Sequence, residues 1–508
     1  MSKSKTYTIK IYRTGKLICK TPAAPGTNLL RCIVDAGVFL DAPCGGNGRC
    51  GKCLVRLSRD GEQIPACRID IVDNLDVYIP EEQEMVINTS SINSANPVSP
   101  PHCLDNKQQS NSSLGVAVDI GTTTVVAHLQ DIKTGKRLAT ASAVNAQRPY
   151  GADVASRIRY CAEHGNEKLT KLIREQVTSL INETCTLSKT QTGNIEYISI
   201  AANTIMQHIV AGYSPVSMGA APFTTICLFG EELPVWSDLP VAENTKIYHT
   251  PAISAYVGGD ITAGLLAAGF DEKHDPAIFL DIGTNGEIVL KHEGTYYCCA
   301  TAAGPAFEGA EISMGMAAVS GAIDHVKWNN GIEFSTIGGG KPCGLCGSGL
   351  LDTLAVLLES GAVDETGRLL DKDKYWLTKN NGEEPAVYIT AGDIRNLQLA
   401  KAAIAAGIQV LLHAAGILPS DVKKLALAGG FGSYMDLQNA ARIGLFPKEL
   451  LSVSKSLGNT AGEGAAISLG SKDARERLDK IRTHCEYIEL SSSTLFNDKF
   501  IEHMTFED

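Results

Sequence analysis

Val116-Ala-Val-Asp-Ile-Gly-Thr-Thr-Thr124 and Ile278-Phe-Leu-Asp-Ile-Gly-Thr-Asn-Gly286 decide how this chain folds. Each is an apolar run, as a strand buried on both faces requires, and each runs into Asp-Ile-Gly-Thr. An aspartate at a strand end followed by a Gly-Thr turn suits phosphate and metal. The glycine lets the backbone approach a polyphosphate, hydroxyl and N–H groups donate to its oxygens, and the carboxylate holds Mg²⁺ through water. One such turn is weak evidence. Two in matching strand context, 162 positions apart, read as two related lobes that clamp a phosphate tail from both sides. The candidate residues are Asp119, Gly121, Thr122 and Thr123 in the first turn and Asp281, Gly283, Thr284, Asn285 and Gly286 in the second. Glu287 is either a solvated strand residue or the group that positions an attacking water. Leu425-Ala-Leu-Ala-Gly429-Gly430-Phe431-Gly432-Ser433 is a third strand-to-turn junction, where a purine can lie against bare backbone.

From residue 114 to about 490 apolar strands alternate with helical stretches, among them 167–187, 349–359 and 393–418. Two stretches rich in small residues, Gly258-Gly-Asp-Ile-Thr-Ala-Gly264 and Asn459-Thr-Ala-Gly-Glu-Gly-Ala465, permit close helix packing. Asn203, after the expected strand 196–202, either caps the next helix or lines a cleft. Cys343-Gly-Leu-Cys346 reads as a packed glycine-rich turn rather than a redox or metal pair, and Cys298-Cys299 as core.

The 508 residues are 44% hydrophobic and 20% charged, which fits neither a disordered nor a fibrous chain. A net charge of −11 argues against nucleic acid or an anionic membrane as the main partner. The most apolar long stretch, 400–419, contains Lys401, Gln409 and His413 and does not read as a membrane span. No apolar leader is visible at the start, so the 15 cysteines point to metal or redox use in a reducing cytoplasm rather than to disulfides.

Six of those cysteines fall in the first 85 residues, where short strands such as 7–12, 54–57 and 77–79 flank a helix expected over 27–37. Cys44-Gly-Gly-Asn-Gly-Arg-Cys50-Gly-Lys-Cys53 is C-x5-C-x2-C, with Cys67 following a single C-x2-C pair after thirteen intervening residues. Structural zinc usually takes two such pairs. One glycine-rich loop closed by a distant cysteine fits [2Fe–2S] ligation instead. Glycines 45, 46, 48 and 51 let N–H groups turn toward sulfur and tune the potential. Cys67 is the expected fourth ligand; its rivals, Cys19 and Cys32, lie on elements that look structural. Arg49 and Lys52 are solvated surface or docking contacts. Residues 88–113 are rich in Ser, Asn and Pro and too poor in apolar surface to offset ordering entropy, so they read as a tether that keeps the flanking modules from sharing a core.

The first 85 residues resemble plant-type and adrenodoxin-type [2Fe–2S] ferredoxins, with a Cys53–Cys67 spacing shorter than is usual in the plant proteins. The ordered turns at 119–123, 281–287 and 429–433 resemble the acetate and sugar kinase, Hsp70 and actin superfamily. In that resemblance the first two are phosphate loops, the third (Gly429, Gly430, Phe431, Gly432, Ser433) is the adenosine site, and 258–264 and 459–465 are connecting helices at the interlobe hinge. The expected architecture is multidomain: an α+β (β-grasp) ferredoxin module at 1–87, a linker at 88–113, and a two-lobed α/β ATPase core with lobe I at 114–268 and lobe II at 269–508.

A one-electron centre joined to an ATP clamp resembles the ATP-dependent reductive activators of corrinoid proteins. Thr301-Ala-Ala-Gly-Pro-Ala-Phe-Glu-Gly-Ala310, Cys346-Gly-Ser-Gly349 and Ala201-Ala-Asn-Thr-Ile-Met-Gln-His208 carry that resemblance further. It implies one-electron reduction of an inactive Co(II) corrinoid protein to Co(I), driven by Mg-ATP, with a low-potential ferredoxin or flavodoxin as donor; a homodimer is compatible with it. Plant-type clusters sit near about −400 mV, and the resemblance implies that Co(I) needs a lower potential, hence ATP. Two alternatives stand beside it: an activator of another low-potential enzyme such as a radical dehydratase, and a small-molecule kinase with a redox domain.

Overall fold

The computed structural model describes residues 5–40, 42, 45–46, 48, 51–81, 113–272, 275–309, 311–370, 373–378, 386–432 and 434–506. The expected tether falls on residues outside these, apart from Ser113, which is buried and donates to Glu196 Oε2 at 3.0 Å.

The two Asp-Ile-Gly-Thr runs form equivalent strands in two sheets of the same plan. Leu114–Ile120 pairs antiparallel with Thr124–Asp131, which pairs antiparallel with Arg137–Val144. On its other side it runs parallel to Ile195–Ala202, and that strand runs parallel to Lys246–His249. In the second sheet Ala277–Ile282 pairs antiparallel with Gly286–His292 and that strand with Thr295–Thr301, while Lys424–Ala428 and Ser454–Gly458 follow in parallel on the other side. The central strands are buried along nearly their whole length, which explains their unbroken apolar runs. Burial relaxes only at the aspartate of each strand, and the isoleucine after it, Ile120 or Ile282, is fully buried again.

Two helices, Gly259–Ala267 and Thr460–Ile467, cross between the sheets. Their contact is made of Ala263, Ala461, Ala465 and Ala466. Gly464 lies directly against the Ala263 carbonyl, and a Cβ at Gly264 would fall 2.8 Å from Thr460 Oγ1. The longest helix, Ala391–Ala415, is long and apolar enough to cross a membrane, yet most of it is buried in the lobe II core. It starts at a capping box in which Thr390 and Asp393 satisfy each other's backbone N–H.

In the N-terminal module Tyr7–Arg13 lies between antiparallel Lys16–Ala23 and parallel Leu75–Ile79. The helix expected over 27–37 forms as Leu29–Asp35, capped by Asn28, and packs Leu29, Leu30 and Ile33 into the core with Ile9, Ile11 and Val77. One expectation is overturned. The apolar residues of this module and of lobe I form one continuous cluster, so the modules do share a core. A polar stretch between two modules limits what that stretch can bury and says nothing about the surfaces on either side.

Candidate active site

The first phosphate-loop candidate is tied down from three sides. Asn145 Nδ2 donates to the Gly121 carbonyl at 2.8 Å, and Asn145 N donates to the Thr123 carbonyl at 2.8 Å. Asn203 caps the helix Thr204–Ala211, accepting from Met206 N at 2.9 Å, and its Nδ2 donates to Thr122 Oγ1 at 3.2 Å. It therefore caps its helix, one of the two readings its position allowed, and in addition holds the first Gly-Thr turn. Thr123 Oγ1 and Thr284 Oγ1, one from each loop, donate to the two oxygens of Glu308 at 3.1 and 3.0 Å.

Asp119, Asp281, Glu287 and Asp260 are part-buried and close enough to act on one another's ionisation. Burial pushes Asp119 up to about 6, opposed by the Asn459 amide, which donates to its Oδ2 at 2.8 Å. Burial and then Asp119 push Asp281 up to about 7. Burial, Asp281 and Asp119 push Asp260 up to about 8. Glu287 faces Asp281 across the antiparallel pair, and burial together with Asp260 and Asp281 raises it well above the carboxylate range. A set of hard oxygens that resists ionising together suits a cation. Among the described residues no three His, Cys, Asp or Glu side chains stand close enough to grip a metal ion directly.

Gly429, at φ +86°, follows the strand Lys424–Ala428; a Cβ there would fall 2.5 Å from Asp281 Oδ1. Only glycine lets this turn close over the second carboxylate. Residues Gly429–Gly432 make one helical turn, and Phe431 stacks on Phe307 with centroids 4.8 Å apart. The Phe431 ring and the Phe307 carbonyl both bear on Gly347, which opens the helix Gly347–Glu359. Cys346, just before it, is buried against the Ile323 carbonyl, and Cys298 and Cys299 are core residues of their strand. Ser433 lies outside the described residues.

In the N-terminal module Leu54–Val55 pairs with Ile64–Pro65, and Ala66 N donates to the Cys53 carbonyl at 2.8 Å, which sets the turn carrying Cys67 beside buried Cys53. Gly45, Gly46, Gly48 and Gly51 all have positive φ, and a Cβ at Gly46 would lie 3.9 Å from Cys67 Cβ. Gly46 and Gly48 thus lie against the turn that carries Cys67, a fit to a cluster bound by one loop and one distant thiolate. Cys19 Sγ instead points to the Ala36 carbonyl at 3.9 Å, and Cys32 is buried in its helix. Cys44, Cys50 and Arg49 lie outside the described residues.

The chain is 32% identical to the corrinoid activation enzyme RamQ of Eubacterium limosum over 570 aligned positions, covering 93% of this chain and 95% of the relative. It belongs to the reductive activators of corrinoid proteins. Residues 114–273 match the family model described as the RACo middle region, and 275–508 the one described as the C-terminal domain of RACo, the ASKHA domain. A solved reductive activator for a corrinoid, iron–sulfur protein superposes with a TM-score of 0.72 at 28% identity, covering 98% of both chains. A reductase of a Co(II) methylated amine-specific corrinoid protein from Methanosarcina barkeri is 24% identical over 437 positions, 77% of either chain.

Within this activator fold four groups were not singled out by sequence reasoning. Glu308 sits in a Gly-Pro-Ala-Phe-Glu stretch with no spacing signal toward Thr123, 185 residues away. Asp260 lies inside a stretch whose small residues drew the eye to packing. Asn459 was placed in a connecting helix, and its bond to Asp119 spans 340 residues. Arg157, on the helix Val154–His164, resembles a solvated charge but is fully buried.

Proposed function

We propose that this chain reduces the inactive Co(II) state of a corrinoid protein to Co(I), passing one electron from a [2Fe–2S] cluster held by Cys44, Cys50, Cys53 and Cys67, in a step coupled to hydrolysis of Mg-ATP. ATP and an iron–sulfur cluster are the cofactors of this activator family. The observation that carries the reading is the meeting of three turns, each from a different strand end, on one group of mutually repelling carboxylates. The donor proposed is a low-potential ferredoxin or flavodoxin, and the setting a reducing cytoplasm.

The bound cluster supplies a one-electron centre near about −400 mV. This chain's residues do the rest. Thr122, Thr123 and Thr284 offer hydroxyls to phosphate oxygens, with Gly121, Gly283, Asn285 and Gly286 shaping the turns around them. Asp119 and Asp281 would hold Mg²⁺ through its water shell, since magnesium gives up its waters reluctantly. Glu287, beside Asp281, is assigned to positioning the attacking water. Gly429, Gly430, Phe431, Gly432 and Ser433 form the purine floor. Nucleotide drives the transfer by biasing the complex between two arrangements with different electron affinities at cobalt.

The test is Co(I) absorbance under strict anaerobiosis with a Co(II) corrinoid protein, with and without Mg-ATP. The parent should form Co(I) only with Mg-ATP. Cys50→Ser should keep some ATPase activity and form none, and Asp281→Ala should keep a reducible cluster and form none. Equal Co(I) yield without nucleotide refutes the coupling, and a phosphorylated small-molecule product would favour a kinase.

A further inference from the structure

Gly45 and Lys52 of the ferredoxin module bear on lobe I and lobe II respectively. On lobe I a Cβ at Gly45 would lie 3.8 Å from the Tyr150 carbonyl. Nearby, Tyr150 Oη donates to Asp35 Oδ1 at 3.3 Å, and the Arg31 guanidinium lies 5.4 and 5.3 Å from the Tyr150 and Tyr160 ring centroids. On lobe II Lys52 Nζ donates to the Gly315 carbonyl at 2.9 Å.

Each foothold is joined to the phosphate loops through a few residues, the first to one loop and the second to both. On lobe I the link is Arg157. Its Nε donates to the Gly151 carbonyl at 2.9 Å, next to Tyr150, and its Nη2 donates to the Thr122 carbonyl at 2.5 Å. A third bond, from Nη1 to Gln147 Oε1 at 3.1 Å, fixes the fork. A buried guanidinium with all its directions committed transmits displacement, because none of its bonds can be lost to water cheaply. On lobe II the link is Glu308 and its neighbour Gly309, whose carbonyl packs directly against Gly315. Glu308 takes the hydroxyls of Thr123 and Thr284, the same groups the loops offer to phosphate. A carboxylate and a phosphate cannot both hold them, and their like charges repel.

We propose that the Tyr150 and Gly315 footholds form a seat for the ferredoxin module, that Arg157 is a positioning residue joining the seat to the first phosphate loop, and that phosphate binding and seating compete. This rests on 121–124 and 283–286 being the phosphate loops. Phosphate that displaces Glu308 shifts Gly309 and the Gly315 packed on it and loosens the Lys52 contact, while movement of the Thr122 carbonyl is carried by Arg157 to Gly151. The coupling is reciprocal, so weakening the seat must tighten nucleotide binding by the factor by which nucleotide weakens the seat.

The test uses the full cluster-loaded chain, with the Kd for AMPPNP in Mg²⁺ measured by calorimetry and amide deuterium exchange followed in 29–35 and 148–160. Arg31→Ala with Asp35→Asn, and separately Lys52→Ala, should bind AMPPNP about fivefold or more tightly, although none of these residues touches the phosphate loops. In the parent AMPPNP should speed exchange in both segments. Arg157→Lys keeps the charge but not the fork; in its background Arg31→Ala should no longer change the Kd. Should that variant fail to fold, the surface variants still decide. Kd values within twofold of the parent, with exchange unmoved by nucleotide, overturn the inference. If Thr123→Ala leaves the parent's affinity unchanged, the phosphate-loop reading fails and takes this inference with it. If Thr123→Ala weakens binding while the seat variants do nothing, only this inference fails.

Discussion

Asn459 Nδ2 donates to Asp119 Oδ2 at 2.8 Å while its Oδ1 accepts from Gly462 N at 2.8 Å, so one amide both caps the helix Thr460–Ile467 and holds the Asp119 carboxylate. The helix end and the carboxylate proposed to serve the cation are set by the same side chain. Burial alone would drive Asp119 higher than about 6, and this bond works against it.

Asn459→Ala should therefore raise the Asp119 pKa further. A carboxylate must be ionised to serve a cation, so the acid limb of Mg-ATPase activity should move to higher pH, with a larger loss at pH 6 than at pH 8. Lost capping costs about 1 kcal/mol at all pH values. A pH–rate profile separates the two: a uniform drop without displacement of the acid limb would leave Asn459 as a cap alone.

The carboxylate group carries a stability cost that grows with pH. Asp260 and Asp281 hold protons in the folded chain up to about 8 and about 7, whereas the ordinary value is 3.8. The folded state then binds protons more tightly than the unfolded one, so stability falls as pH rises from about 4 to about 8 and levels off above. Asp260→Asn should melt higher than the parent at pH 8, with the gap narrowing toward pH 5. Melting temperatures across that range, at fixed salt and without nucleotide, check this; a gap independent of pH would contradict it.

Gly464→Val drives a side chain into the Ala263 carbonyl. Overpacking of this kind costs about 1–3 kcal/mol. Because the crossing helices lie between the sheets, the variant should melt several degrees lower and lose ATPase activity, while the visible spectrum of the cluster stays that of the parent. Loss of the cluster spectrum would mean that the damage spreads beyond the crossing.

Iron and sulfide analysis should give about two of each per chain. Cys67→Ser should lose most of both, because its turn is the one that Gly46 and Gly48 lie against, whereas Cys19→Ser and Cys32→Ser should keep them. Four irons per chain, or full retention by Cys67→Ser, would require another ligand set.

Local patterns carried most of what could be read from the chain alone. The Asp-Ile-Gly-Thr turns are written in consecutive residues, and their strands are buried on both faces, so neither depends on distant partners to be seen. The small-residue stretches at 258–264 and 459–465 likewise announce close helix contact. Glu308, Arg157 and Asn459 owe their roles to bonds across the fold, and each sits in a stretch with an adequate local explanation. The seating of the ferredoxin module was hidden for a different reason. Arg31 and Asp35 lie in a short amphipathic helix, where charged residues ordinarily face water, and only the aromatic pair Tyr150 and Tyr160 on another module gives them a partner.

The ferredoxin module and both of its footholds belong to one covalent chain, which makes the Lys52–Gly315 contact unimolecular. Its occupancy is then indifferent to dilution and to expression level. A corrinoid protein that needs the module unseated meets a fixed internal competitor, and its apparent Kd is its intrinsic value divided by the unseated fraction. Titrating partner alone cannot reveal that intrinsic value; it emerges only when the seat is weakened in the same molecule.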